Sequence, residues 1–147
     1  MQPFRFHSIY QPRIWGGQSM RTMLGRELPD RETAYGEAWE ISARPEAMSI
    51  VKDGEWEGMP LHRLWEEHRQ EIFGPGYERF PRFPLLCKIL DARENLSVQV
   101  HPPERTAAAR QGEVKNEIWY VLHASPDALI YGGMEENATL PDIRHAA

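Results

Sequence analysis

The clearest periodicity in the chain is Leu61, Leu64, Trp65, His68 and Ile72. These fall at i, i+3, i+4, i+7 and i+11, one stripe of a 3.6-residue helix. Pro60 suits its first turn, and Gly74-Pro75-Gly76 ends it. His68 on that stripe reads as a packed residue, not a ligand. A shorter helix is expected over about 18–24, with Gly25 as its stop. Phe4-Arg5-Phe6-His7 alternates briefly before a turn-rich stretch over 11–17. Residues 37–42 and 48–52 read as strands, the second closed by Asp53-Gly54. After Phe80-Pro81-Arg82-Phe83-Pro84, the apolar run 85–90, broken by Lys88, predicts another strand. Alternation over 96–101 and β-formers over 117–123 and 128–131 predict three more. A short helix over about 104–111, stopped by Gly112, lies among them. Thr139 as N-cap and Pro141 in the first turn predict a last helix start. The sum is a mainly β chain with appended helices, an antiparallel sandwich or barrel.

Composition narrows the classes of function. The chain has 147 residues, the size of one domain over 1–147, with a 41% hydrophobic fraction normal for a globular protein. Seventeen Lys and Arg against 22 Asp and Glu give a net charge of −5, which leaves no basic footprint and argues against a nucleic-acid partner. Cys87 is the sole cysteine, which excludes an internal disulfide and a cysteine-based zinc cluster and fits a reduced, cytoplasmic setting. It reads as a small buried side chain. The N-terminus shows no signal-peptide pattern, and no stretch approaches the ~20 apolar residues of a membrane span.

The stretch that carries chemistry is Ser97-Val98-Gln99-Val100-His101-Pro102. As a strand it points Val98 and Val100 one way, and Ser97, Gln99 and His101 the other. Lys115 and Glu117, in Lys115-Asn116-Glu117-Ile118-Trp119-Tyr120, also share a face. Imidazole and carboxylate are good ligands for first-row metals, and an amide oxygen can be a third. An ammonium beside them suits an anionic substrate better than a metal. A solvent-facing polar side explains the same pattern without any ligand.

With Lys88-Ile89-Leu90-Asp91-Ala92 before them, these two stretches resemble type I phosphomannose isomerase, a zinc enzyme of the cupin fold. Upstream, Ile14-Trp15-Gly16-Gly17 and Gly36-Glu37-Ala38-Trp39-Glu40-Ile41-Ser42 match the family's N-terminal blocks in order, so the resemblance runs over about 4–133. It implies a cupin-like, jelly-roll antiparallel β-barrel. It also implies Gln99, His101 and Glu117 as ligands of Zn2+, and Ser97 and Lys115 lining a sugar-phosphate pocket. On that resemblance, Lys115 is expected either to stabilise charge developing in the reaction or to meet the phosphate. Trp15 and Trp39 are assigned pocket or core support. The implied reaction interconverts mannose 6-phosphate and fructose 6-phosphate through an enediol.

One family block has no counterpart here: the Pro-Gly-Asp turn and the Ala-Gly-Thr-x-His strand that carry the remaining metal-ligand histidine. His123 and His145 stand in different contexts. The reading is therefore a barrel incomplete at its C-terminal side, the front part of a type I isomerase. Weakened zinc affinity and little or no turnover are expected of the chain alone, with self-association through open barrel edges. The alternatives are a non-catalytic cupin-like module that binds a sugar phosphate or metal, and a fragment that needs a companion polypeptide.

Overall fold

A computed structural model of the chain describes residues 3–110 and 112–146, with the side chains of residues 143 and 146 left aside. Two compact units divide between Leu96 and Ser97. The first holds all the strands found among the described residues. Strands β1 (Ile9–Gly17), β2 (Tyr35–Ile41) and β5 (Cys87–Leu90) form an antiparallel sheet in the order β1-β2-β5, and β3 (Ala43–Arg44) pairs with β4 (Ala47–Met48) as a tight hairpin.

The turn-rich stretch over 11–17 is a strand, not a loop. Register shifts at Gln11/Pro12 and Pro12/Gly17 show how the sheet absorbs Pro12, which has no N–H to give and sits on an edge strand. The glycines around it answer to close approach. A Cβ on Gly16 would lie 2.5 Å from the Gly36 backbone nitrogen, and one on Gly36 would lie 2.6 Å from both Arg13 Cβ and Trp15 Cζ3. A Cβ on Gly17 would lie 2.6 Å from Asp91 Oδ1. Asp91, buried, uses its other oxygen to accept the Met20 N–H at 3.0 Å, where the chain enters α1 (Ser19–Thr22).

Met20, Tyr35 and Ala38 form one core cluster, covered by Tyr10, Leu28 and Ile89. The apolar stripe of 61–72 builds a second cluster, with Leu61, Leu64 and Trp65 almost wholly buried. The stripe is two helices, α2 (Leu61–Glu67) and α3 (Arg69–Phe73), interrupted at His68, whose φ of −126° and ψ of 19° are not helical. His68 packs as expected, its ring 4.4 Å from that of Trp56. Trp65 anchors Phe73 at 5.1 Å and Phe83 at 5.6 Å. Gly25, Gly54 and Gly74 all take positive φ where a stop or turn is predicted.

Cys87 corrects the expectation of burial: it is a free, exposed thiol. It begins an edge strand with one side unpaired, so the apolar run around it does not enclose it.

The second unit has α4 (Glu104–Ala107), a 3-10 turn over Ala108–Arg110, and α5 (Leu140–Ala146). Gln111, the expected end of the first helix, lies outside the described residues. The predicted cap is present: Thr139 Oγ1 accepts the Asp142 N–H at 3.5 Å, and Thr139 donates in return through its N–H and hydroxyl to Asp142 Oδ2 at 2.7 and 2.6 Å. The strands predicted over 96–101, 117–123 and 128–131 are not strands. β-propensity describes a fit to a half-buried pleated surface, and a ribbon without further strands or a covering layer is marginal. Within this unit that cover is lacking: Val98, Val100, Ile118, Tyr120, Leu129 and Tyr131 are all exposed. The class is thus β with appended helices, in antiparallel sheets, with no closed barrel among the described residues.

Candidate functional site

Two groups of polar side chains stand out, one in each unit. In the first, Glu37 on β2 is buried, with only 7% of its side chain accessible. Its Oε1 accepts from Lys88 Nζ on β5 at 2.7 Å, and its Oε2 accepts from Arg13 Nη2 on β1 at 2.6 Å and from Trp39 Nε1 at 3.2 Å. Burial works to raise the Glu37 carboxyl. The Lys88 and Trp39 hydrogen bonds and the charges of Lys88 and Arg13 outweigh it, and the group titrates below its ordinary range. The expectation of pocket or core support from Trp39 did not include this bond, and the sequence did not mark Glu37, Arg13 and Lys88 as a group. The available signal was Lys88, a single charge inside an apolar run.

The second group is the one nominated from sequence. Lys115 Nζ lies 2.8 Å from Glu117 Oε1, so these two come together as their spacing suggests. Ser97, Gln99 and His101 are exposed, and among the described residues they make no hydrogen bond or ion pair. Pro102 and Gly112 approach closely enough that a Cβ on Gly112 would lie 2.7 Å from Pro102 Cγ. The helical turn between them thus returns the chain on itself. His101 nonetheless does not reach the Lys115–Glu117 pair.

By donor chemistry, amide, imidazole and carboxylate fit zinc. By arrangement they do not: the described residues contain no cluster of three His, Cys, Asp or Glu side chains able to hold a metal, and neither Gln99 nor His101 bonds to Glu117. What the second unit presents is a lysine–carboxylate pair beside an open, polar-edged segment.

Elsewhere in the first unit, a cleft of about 380 Å³ is lined by Phe6, His7, Ser8, Tyr10, Arg26, Glu27 and Lys52. Arg26 donates there to Ser8 Oγ and Glu40 Oε1, each at 2.9 Å. None of the nominated residues lines it. No helix among the described residues is long and apolar enough to cross a membrane.

Comparison with known proteins gives this arrangement a context. The family model described as phosphomannose isomerase type I, catalytic domain, matches residues 3–128. The mannose-6-phosphate isomerase of Streptococcus mutans is 45% identical over 133 residues, covering 89% of this chain and 40% of that protein. The mannose-6-phosphate isomerase ManA of Bacillus subtilis is 41% identical over 141 residues, covering 94% and 42%. A crystal structure of the mannose 6-phosphate isomerase from Bacillus subtilis superposes with a TM-score of 0.67 at 38% identity, covering 76% of this chain and 34% of that one. The chain therefore spans about two fifths of the length of the curated relatives it matches. A match over 3–128, taking in both polar groups, shows that this chain belongs to the phosphomannose isomerase type I family, through its catalytic domain.

Proposed function

We propose that this chain serves the interconversion of mannose 6-phosphate and fructose 6-phosphate, an aldose–ketose isomerisation. The family match through residue 128, which takes in 97–101 and 115–117, is the observation that carries the reading. Lys115 is the catalytic and substrate-binding cation: it stabilises negative charge developing on the sugar, or meets the phosphate, while Ser97 donates a hydrogen bond to the substrate. Gln99, His101 and Glu117, brought together, would be the residues to hold Zn2+, and the ion would supply polarisation of the sugar oxygens. Holding it requires the 97–117 segment to draw together, as in the strands of a cupin-like jelly roll. The mild acidity and the single cysteine suit a cytoplasmic protein with a small-molecule substrate and no nucleic-acid partner.

The test is mannose 6-phosphate added to the purified chain, read for saturable binding and for conversion. Binding that Lys115→Ala weakens at least about tenfold supports the reading, that factor being about 1.4 kcal/mol, small for a charge-assisted contact. No binding by the unsubstituted chain overturns it. The exposure of Gln99 and His101, unbonded, favours a second reading, a module that binds the sugar phosphate without turnover. Saturable binding with no conversion would select it.

A further inference from the structure

A second buried carboxylate in the first unit stands outside the Glu37 cluster. Asp91, next after β5, is only 6% exposed, and among the described residues its side chain accepts one hydrogen bond, from the Met20 N–H. A buried carboxylate with a single partner is a poor stabiliser. The bond it makes is nonetheless of the strong, charge-assisted kind, suited to holding a backbone in place. The surrounding contacts show what is held. The Asp91 N–H donates to Gly36 O at 2.8 Å, one step beyond the last paired residue of β5. The chain then crosses to the end of β1. Ala92 bridges to Gly16, and the Arg93 and Glu94 N–H groups both donate to Trp15 O, at 2.9 and 3.2 Å. Asp91 thus fastens the crossing from both sides, by its backbone to β2 and by its side chain to the start of α1. Three residues after Glu94 comes Ser97, followed by Gln99 and His101.

We propose that Asp91 is a positioning residue for sugar-phosphate binding: by fixing the 91–94 crossing, it fixes the point from which the segment bearing Ser97 departs. It acts through the backbone and not by touching the substrate. A segment that departs from a fixed point has less freedom left to lose when Ser97 meets its ligand, so it binds more tightly than one that departs from a loose loop. What the role needs is an acceptor for the Met20 N–H at that place, which an amide oxygen also supplies. Gly17 belongs to the same device. A Cβ there would lie 2.6 Å from Asp91 Oδ1, so only a glycine lets the carboxylate sit where it does. The role rests on the isomerase reading, in which Ser97 and Lys115 meet the sugar phosphate.

The test is calorimetric binding of mannose 6-phosphate to the chain and its variants. Asp91→Ala is expected to weaken binding about tenfold, the cost of ordering roughly one more residue. Asp91→Asn, which keeps an acceptor for the Met20 N–H, should stay within about threefold of the unsubstituted chain. Leu64→Ala loosens the helical core instead and should leave binding within about twofold. Amide exchange at Arg93 and Glu94 should quicken about tenfold in Asp91→Ala and hold in Leu64→Ala. Should Asp91→Ala not fold, Gly17→Ala displaces the carboxylate and is expected to weaken binding in the same way. Unchanged binding in a folded Asp91→Ala or Gly17→Ala overturns the proposal and leaves the isomerase reading standing. So does equal weakening by Leu64→Ala, which would mark a loss of general stability. No binding by the unsubstituted chain overturns the isomerase reading, and the proposal with it.

Discussion

Glu37 Oε1 holds Lys88 Nζ at 2.7 Å while Glu37 Oε2 holds Arg13 Nη2 at 2.6 Å, so one buried carboxylate ties β5, β2 and β1 together. Replacing it with an isosteric amide leaves two cations facing each other with no countercharge. Because Lys88 and Arg13 keep some access to water, the cost is less than for a fully buried pair. Glu37→Gln is expected to lose about 2 kcal/mol in urea unfolding, with an unchanged slope against denaturant. An unchanged midpoint would show that the sheet does not depend on the cluster.

The same cluster sets an acid limit. A carboxyl lowered in the folded state contributes stability that is present above its unfolded value, about 4.3 for Glu, and lost as pH falls through the folded one. Asp30 acts in the same direction, lowered chiefly by the Thr33 backbone N–H and then by the Tyr35 hydroxyl. Stability should therefore hold from neutral pH down to about 5 and fall below about 4. Urea midpoints against pH should fall less steeply for Glu37→Gln than for the unsubstituted chain. Equal slopes would contradict the assignment.

The paired glycines make a sharper prediction. At Gly16 the obstacle to a side chain is the Gly36 backbone nitrogen at 2.5 Å, which no rotamer change can clear. At Gly25 nothing lies within 4 Å of a Cβ and only the φ of 65° resists. Gly16→Ala should cost roughly 2–4 kcal/mol and Gly25→Ala roughly 1–2, read from the same unfolding curves. The reverse order would refute the close-approach account.

In the helical core, Leu64 has no accessible surface. Leu64→Ala should cost roughly 2–5 kcal/mol, whereas Leu85→Ala, at an exposed site, should stay within about 0.5. Thermal unfolding of the two variants separates them.

What was legible in the sequence was what neighbours along the chain decide. The glycine stops at 25, 54 and 74, the Thr139 cap, the strand at 37–42 and the α2 stripe all follow from local chemistry. β1 was hidden because Pro12 and two glycines read as a loop, and only pairing with β2 makes them a strand. The opposite error has the same cause. Residues 96–101 and 117–123 alternate as strands do, yet alternation states only which side chains would share a face, and a strand forms when a neighbour and a covering layer exist. Of the candidate site, Lys115 and Glu117 meet because they lie two residues apart, while Gln99 and His101 need long-range pairing to reach them.

The proposed function makes Gln99, His101 and Glu117 the ligands of Zn2+ once segment 97–117 draws together, and titration of the purified chain with Zn2+ tests that proposal most directly. Binding that falls at least about tenfold in each of Gln99→Ala, His101→Ala and Glu117→Gln, and is unaffected by His145→Ala, is the predicted result. Binding that is absent, or indifferent to all three substitutions, would contradict it.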